Sequence, residues 1–315
     1  MISKEYLSYE SRESCYKIHA TIWQPKLKVK AILIIAHGMA EYIDRYDAFA
    51  TYLAEHGILV AGCDYIGHGK TVVGFDKYGY FCSRDPATVV VRDVHRLKKT
   101  IQERYPCIPQ IVMGHSMGFF VILNYLYRYG NGVDGAIFMG CGMPSKILIS
   151  CSRFIANLQA RVVGADKPGK LLNRLAFGKY NKKVTDPESF FSWLSFNKEN
   201  VEKYDNDPLC GFIFTINGFQ TMLELISRLQ KPDNLAQIPK DMKILMVSGA
   251  MDPVCEYGKG FAKVEKSLRK VGINDITAKL YSWGRHEILQ EDEKKEVFED
   301  IKNWLDSMFT VSMGG

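Results

Sequence analysis

A serine between two glycines is the residue of this chain best placed for nucleophilic chemistry. The segment Gly114-His115-Ser116-Met117-Gly118 has the G-x-S-x-G pattern. The apolar run Ile111–Met113 before it is typical of a buried strand, and the apolar stretch Phe119–Tyr129 after it is long enough for a helix. A strand-to-helix turn this tight has room only for glycine on either side and leaves the serine hydroxyl exposed. We therefore interpret Ser116 as a nucleophile for acyl transfer.

The base that would activate this serine must come from elsewhere in the chain. In this type of fold the partners follow the nucleophile in the order serine, acid, histidine. His286 is the only histidine after Ser116. It lies in the segment Ser282–Glu287, directly after the last predicted strand, where the loops of α/β proteins form their sites. We predict that His286 is the general base.

Asp252 is the acid best placed to orient that histidine. It follows the predicted strand Lys243–Ser248, and Gly249 and Pro253 indicate a turn around it. Asp275 begins a strand at the opposite end of the sheet, and Glu287 would point away from its neighbour. We therefore predict that Asp252 completes a triad.

Two backbone amides would form the oxyanion hole. Met117, next to the serine, provides one of them. The other is expected from Met39, in the loop His37-Gly38-Met39-Ala40-Glu41 that follows the first buried parallel strand. We expect His37 itself to hold this loop by bonding to its backbone.

The composition is that of a globular protein without a membrane span. The chain has 315 residues, a net charge of +6 and eight cysteines without a CxxC pair. It shows no N-terminal signal and no apolar run of roughly 18 residues. These features favour buried thiols in a reducing cytoplasm. We find no metal-ligand spacing, and Asp64–Gly69 lacks the lysine and spacing of a phosphate loop, so we predict neither metal nor cofactor.

The positive charge is concentrated in one segment. Residues 144–183 contain nine Lys or Arg and one acid, Asp166. A solvated helical face explains such a cluster. Because apolar residues interleave with the charges, the alternative is a surface that makes transient contact with anionic lipid headgroups. No nucleic-acid-binding motif is present, and we predict no such partner.

Buried strands alternate with helices along most of the chain. Ala31–Ala36, Ile58–Cys63 and Gly135–Gly140 are continuous apolar runs, which are typical of parallel strands covered on both faces. This alternation predicts an α/β fold with a mainly parallel, doubly wound sheet. The segment 144–236 is too long for a connection. We interpret it as a helical cap inserted into a core formed by residues 1–143 and 237–315.

The motifs together resemble one family. His37–Glu41 with Arg45-Tyr46, Asp64–Gly69, Gly114–Gly118, Asn206–Leu209, Gly249–Pro253 and His286 are similar to those of the monoacylglycerol lipase and lysophospholipase group of α/β-hydrolases, also known as serine aminopeptidase S33 or hydrolase 4. The resemblance covers residues from about 15 to 305. It implies an eight-stranded hydrolase core, a cap after the sixth strand and cleavage of lipid-type esters. It places Ser116, Asp252 and His286 in the triad and Met39 and Met117 in the oxyanion hole.

The leading functional hypothesis is a carboxylic ester hydrolase for a lipid-like ester, acting through an acyl-enzyme. Within the cap, Phe212, Phe214 and Phe219 are candidates for contact with the substrate. One alternative is an aminopeptidase or iminopeptidase, in which Glu41 or Glu256 would bind the substrate amine. A second alternative is a catalytically silent binding protein. Headgroup, acyl-chain length and oligomeric state do not follow from the sequence.

Overall fold

A single mixed sheet organises the protein in a computed structural model that describes residues 2–13, 15–72 and 78–310. Its strands are β1 (Ser3–Glu10), β2 (Lys17–Gln24), β3 (Ala31–Ala36), β4 (Ile58–Cys63), β5 (Gln110–His115), β6 (Gly135–Met139), β7 (Lys243–Gly249) and β8 (Ile276–Tyr281). The order across the sheet is β1-β2-β4-β3-β5-β6-β7-β8. β2 is antiparallel to both neighbours, and the strands from β3 to β8 are parallel. The predicted eight-stranded α/β-hydrolase sheet is confirmed.

Helices cover both faces of the sheet. They are α1 (Asp47–Glu55), α2 (Pro86–Arg104), α3 (Met117–Tyr129), α4 (Lys146–Val163), α5 (Lys170–Phe177), α6 (Lys198–Asn206), α7 (Ile216–Leu229), α8 (Pro232–Ala236), α9 (Lys259–Lys270) and α10 (Lys294–Thr310). Alternate residues of β3 belong to different halves of the core because side chains along a strand point to opposite faces. Ile32 and Ile34 belong to the apolar cluster that includes α2, α3 and α9, whereas Leu33 and Ile35 belong to the one that includes α1 and α10.

The segment predicted as a cap lies between β6 and β7 and contains α4 to α8. Within it, α7 packs against both α4 and the core helix α3. The limits at 144 and 236 stay a prediction, and the outer limits at residues 1 and 315 lie outside the described residues. In the part of the chain that the structure describes, no helix is both long and apolar enough to cross a bilayer.

The sheet brings distant parts of the sequence to one edge. β3, β5, β7 and β8 are parallel, so their carboxyl ends meet on the same side of the molecule. The loops that follow these four strands carry Met39, Ser116, Asp252 and His286, respectively. A crevice at this edge is the usual location of ligand sites in open α/β sheets.

Candidate active site

Ser116 occupies the sharp turn between β5 and α3. Its backbone has φ 54° and ψ −115°, a conformation that side-chain-bearing residues rarely adopt. The turn is held by the Ser116 amide, which donates to the carbonyl of Met139 at 3.0 Å. A Cβ atom at Gly118 would lie 2.0 Å from the carbonyl oxygen of Ala36, so glycine is required there for α3 to pack this close to the sheet. The strained turn places the hydroxyl-bearing side chain at the open edge of the sheet.

His286 and Asp252 are joined by a buried hydrogen bond. The distance from His286 Nδ1 to Asp252 Oδ2 is 2.8 Å, and both side chains are almost fully buried. The Val254 amide donates to Asp252 Oδ1 at 2.7 Å, and the Ser248 hydroxyl donates to Oδ2 at 3.3 Å. Since a carboxylate only accepts, Nδ1 carries the hydrogen, and Nε2 is left to exchange a proton.

Close contact between two loops makes this pairing possible. A Cβ atom at Gly249 would lie 2.1 Å from the carbonyl oxygens of Gly284 and Arg285, so only glycine lets the end of β7 approach the loop that carries His286. The Met251 amide donates to the Gly284 carbonyl at 3.0 Å and joins the same two loops. Asp275, by contrast, lies at the other end of the sheet, where its carbonyl accepts from Ile244 before β8 begins.

The two amides predicted for the oxyanion hole belong to Met39, in the loop after β3, and to Met117, the first residue of α3. Met39 and Met117 both line the cavity that contains Ser116. Among the described residues, neither amide has a protein acceptor within hydrogen-bond distance. Two residues from the cap hold the loop in place, because the Tyr204 hydroxyl and the Gly211 amide both donate to the Ala40 carbonyl, at 2.9 and 3.0 Å. These bonds fix the loop, and the assignment of the two amides to an oxyanion hole stays a prediction.

His37 braces this loop, as expected from the sequence. Its Nδ1 lies 2.8 Å from the carbonyl oxygen of Gly38, and its Nε2 accepts from the Tyr65 amide at 3.4 Å. The side chain is completely buried. This burial lowers the pKa of His37 to about 4, so the ring is neutral at physiological pH.

A buried charge network surrounds the same loop. The Arg45 guanidinium donates to both carboxyl oxygens of Glu287, at 2.6 and 2.9 Å, and to Glu41 at 2.7 Å. His115 Nδ1 lies 3.3 Å from Glu41 Oε1, and its Nε2 lies 3.3 Å from the His286 carbonyl. Burial alone would lower the pKa of His115, but the bond to Glu41 and its charge raise it. Two buried carboxylates thus share the Arg45 cation, and one of them also contacts a histidine whose pKa is raised.

The sequence reasoning missed this network. Arg45 was noted only as part of a motif, Glu41 was considered only as part of a motif and as an amine anchor, and Glu287 was only expected to point away from His286. Arg45 and Glu287 are separated by 242 positions. The available signal was the i, i+4 spacing of Glu41 and Arg45, which pairs such side chains on a helical turn.

An apolar cavity of about 830 Å³ extends from Ser116 into the cap. Its walls include His286 from the core and Ile149, Leu172, Phe212 and Phe219 from the cap. Phe212 and Phe219 therefore line the same cavity as Ser116, and their contact with a substrate stays a prediction. Phe214 does not line the cavity, because it is fully buried behind these residues, with its ring 5.2 Å from His68 and 5.6 Å from Phe81.

One cap segment is bonded directly to the loop that carries His286. We refer to residues 192–197 as the strap. Arg285 donates to the carbonyls of Ser192 and Ser195, at 2.7 and 3.0 Å. The Glu287 amide donates to the Leu194 carbonyl at 2.8 Å. From the other side, Glu291 accepts from the Ser195 hydroxyl and from the amides of residues 196 and 197. The strap was not identified from the sequence, which has no periodic pattern there.

Comparison with known proteins identifies the family of this chain. A family model described as "Serine aminopeptidase, S33" matches residues 27–293. The chain belongs to that family. The resemblance inferred from the motifs is therefore confirmed.

Relatives of the family member described here include enzymes named for lipid esters. Human monoglyceride lipase is 26% identical over 296 residues, which cover 93% of this chain and 87% of the relative. A monoglyceride lipase homolog of Monkeypox virus is 25% identical, with 91% and 94% covered. Among solved structures, a highly thermostable carboxyl esterase from Bacillus coagulans in complex with glycerol has a TM-score of 0.90 and 26% identity. The match covers 98% of this chain and 100% of the esterase chain.

Proposed function

We propose that this protein hydrolyses lipid-like carboxylic esters, of the monoacylglycerol or lysophospholipid type, with Ser116, His286 and Asp252 as its catalytic triad. The observation that carries the proposal is the shared cavity. Ser116, His286 and the Met39 and Met117 amides all line one apolar chamber. The 2.8 Å bond from His286 to Asp252 supports the assignment of the base and the acid. The monoglyceride lipases and the carboxyl esterase among its relatives favour esters over other substrates.

In the proposed mechanism, His286 Nε2 takes the proton of the Ser116 hydroxyl while Oγ attacks the ester carbonyl. The amides of Met39 and Met117 stabilise the negative oxygen of the tetrahedral intermediate. His286 then gives its proton to the departing alcohol, and an acyl-enzyme forms. Water, deprotonated by the same histidine, releases the fatty acid. Asp252 holds the ring in one tautomer and stabilises its cation throughout.

The cavity lining supports an apolar acyl chain. Side chains from three cap helices contribute to it, namely Ile149 and Ile155 in α4, Leu172 in α5 and Phe219 in α7. Each buried methylene contributes about 0.8 kcal/mol, so matched chains should gain several-fold in kcat/KM per carbon until the chamber is full. We expect activity to rise from acetyl toward medium-length esters.

The peptidase alternative requires a free carboxylate to bind the substrate amine. Three glutamates line the cavity, and each already has a cation within reach. Glu41 and Glu287 share Arg45, and Glu256 lies 2.7 Å from Lys263 Nζ. A fourth acidic anchor is not found in the lining of this cavity. The silent binding protein is disfavoured because all three triad positions are occupied by residues of the required types.

The cap surface supports transient contact with a membrane. Helix α4 exposes Ile147, Phe154 and Val162, each more than two-thirds exposed, and basic side chains interleave with them. Apolar side chains flanked by lysine and arginine bind interfaces rich in anionic lipid. The proposal includes a reducing compartment such as the cytoplasm, which the eight free cysteines favour.

One set of measurements tests the proposed function. Wild-type protein is assayed for kcat/KM on 4-nitrophenyl esters from C2 to C16, on 1-monoacylglycerols and on an aminoacyl anilide. Ser116→Ala serves as the blank and should lose ester turnover by several orders of magnitude, with its fold intact by circular dichroism. A profile that peaks at acetate, a preference for the anilide, or retained activity in Ser116→Ala would contradict the proposal.

A further inference from the structure

Trp193, at the second position of the strap, stands against the proposed catalytic histidine. Its ring centroid lies 5.2 Å from that of His286, with 46° between the ring planes. The side chain is 7% exposed, and it contributes to the wall of the cavity that contains Ser116. Neither the motifs nor the proposed mechanism assigns it a part.

Ring packing and hydrogen bonds to its neighbours in the chain hold this indole in place. The Tyr180 ring meets it edge-on at 4.8 Å between centroids, and Phe177 lies parallel to it at 6.3 Å. The neighbouring carbonyls of Ser192 and Leu194 accept hydrogen bonds from the loop that carries His286. Movement of the indole away from the histidine would break these bonds and open a void in packed aromatic side chains.

Proton transfer from His286 explains why the position of Trp193 matters. His286 must deliver its proton to the oxygen of the departing alcohol, so the alcohol moiety has to lie beside the ring. A rigid side chain packed against the ring therefore limits the space for that moiety. We assign the acyl chain to the apolar walls that α4 and α7 supply, whereas the Trp193 ring packs on Phe177 of α5.

We propose that Trp193 sets the upper size of the alcohol moiety, so that the enzyme accepts esters of small alcohols such as glycerol and rejects esters whose alcohol carries a second acyl chain. This inference rests on the proposed function, since it takes His286 as the proton donor to the leaving group. It adds a residue that selects substrate on the alcohol side alone.

Phe219 provides a matched comparison within the same cavity. It is also an aromatic residue, 2% exposed, and it lies in α7, where its ring packs on Phe214 at 5.9 Å. It lines the cavity on the side assigned to the acyl chain. Truncation of Phe219 should therefore change the preferred chain length, whereas truncation of Trp193 should change the preferred alcohol.

The test uses two pairs of substrates. The first pair shares the octanoyl chain and differs in the alcohol, namely 1-octanoylglycerol and 1,2-dioctanoylglycerol in the same detergent micelles. The second pair shares the alcohol and differs in the chain, namely methyl octanoate and methyl hexadecanoate. The ratio of kcat/KM within each pair is measured for wild type, Trp193→Ala, Trp193→Leu, Trp193→Phe and Phe219→Ala. A ratio is insensitive to a general loss of active protein.

We expect Trp193→Ala to raise the ratio of diacyl to monoacyl ester by about tenfold or more, because relief of a steric limit changes discrimination by that order. The ratio for Trp193→Leu should lie between those of wild type and Trp193→Ala. This variant preserves the test if Trp193→Ala does not fold. Trp193→Phe should stay near wild type, since the wall remains and the indole Nε1 has no hydrogen-bond partner among the described residues to lose. The methyl-ester ratio should change only in Phe219→Ala.

Two results would overturn the assignment of Trp193. One is an unchanged alcohol ratio in both Trp193→Ala and Trp193→Leu, and the other is a shift of the chain-length ratio in these variants. A wild-type protein that hydrolyses none of the four esters would instead reject the proposed function. The two failures are therefore distinguishable.

Discussion

Two ion-pair clusters differ in burial: one lies in the loops at the carboxyl ends of the parallel strands, which we call the rim, and the other lies on α6 of the cap. At the rim, the Arg45 side chain is 10% exposed and is enclosed by Glu41 and Glu287, whose side chains are 4% and 5% exposed. In the cap, Lys203 and Glu199 pair across α6 with both side chains 72% exposed. Buried pairs are costly to break, whereas exposed pairs are weakened by water and salt. Substitution in the buried network is therefore expected to cost stability, whereas substitution in the exposed pair is not.

The largest expected effect is at the rim, on the bond between Asp252 and His286. Asp252→Asn should reduce ester turnover by about 10³–10⁴-fold, because an amide no longer holds the ring in the required tautomer. Asp275→Asn, at the far end of the sheet, should retain nearly full turnover. Steady-state kinetics on one soluble ester measures both. The reverse ranking would move the acid away from Asp252.

The second effect concerns the stability of the rim. Arg45→Met should lower the free energy of unfolding by about 3–5 kcal/mol, because it removes the cation that Glu41 and Glu287 share. Adding Glu287→Gln should restore part of this loss. Lys203→Met, which breaks the exposed pair in the cap, should cause no measurable change. Urea denaturation followed by tryptophan fluorescence gives all the values, and equal losses at the two sites would refute the contrast.

A smaller effect is expected from His37 on acidification. Its pKa of about 4 in the folded state lies below the ordinary value of about 6.5, so the unfolded chain binds the proton first as pH falls. Stability contributed by the neutral ring is complete above pH 6.5 and is lost as pH falls toward 4. Between pH 7 and pH 5 this loss amounts to about 2 kcal/mol. The unfolding free energy of His37→Asn should depend less steeply on pH over this range.

The contribution of His37 and of its interactions with neighbouring groups is read from the difference between the two pH profiles. His37→Asn is itself expected to be less stable at pH 7, because its bonds to the loop change. Parallel profiles would show that the buried ring does not carry this part of the acid sensitivity.

The smallest effect on catalysis is expected from the outer face of the cap. Ile147 and Phe154 are 78% and 70% exposed and do not line the cavity. Replacing both with serine should leave turnover of a soluble short-chain ester unchanged. It should weaken binding to phosphatidylcholine vesicles that contain phosphatidylserine by about tenfold, since each side chain adds on the order of 1 kcal/mol of apolar burial. Vesicle sedimentation measures this binding.

A control substitution distinguishes a specific cap surface from general stickiness. Leu27 is 58% exposed and precedes β3, at the opposite edge of the sheet from the cavity. Leu27→Ser should leave vesicle binding unchanged. Equal weakening by both changes would remove the membrane from the proposal.

The sheet was accessible from the sequence because short-range pattern determines it. The continuous apolar runs Ala31–Ala36 and Ile58–Cys63 correspond to β3 and β4 residue for residue. Burial on both faces of a parallel strand produces such runs directly. The predicted site residues followed from the same topology, since strands with known ends place their loops at one edge.

The parts that escaped prediction depend on contacts between distant residues. Arg45 and Glu287 pair across 242 positions, and Arg285 reaches Ser192 across 93. No periodic pattern in the sequence indicates such contacts, because they form only once the fold has brought the loops together. Phe214 illustrates the same point within the cap, since its type suited a substrate pocket equally well and only packing placed it behind Phe212 and Phe219.

The strap has a mechanical consequence for how a substrate reaches the serine. The strap is bonded to the loop of His286 through Arg285, Glu287 and Glu291. We therefore expect it to stay in place when a substrate enters. A displacement that widens the cavity while these bonds are kept is therefore expected in α4, which also lines it, rather than in the strap.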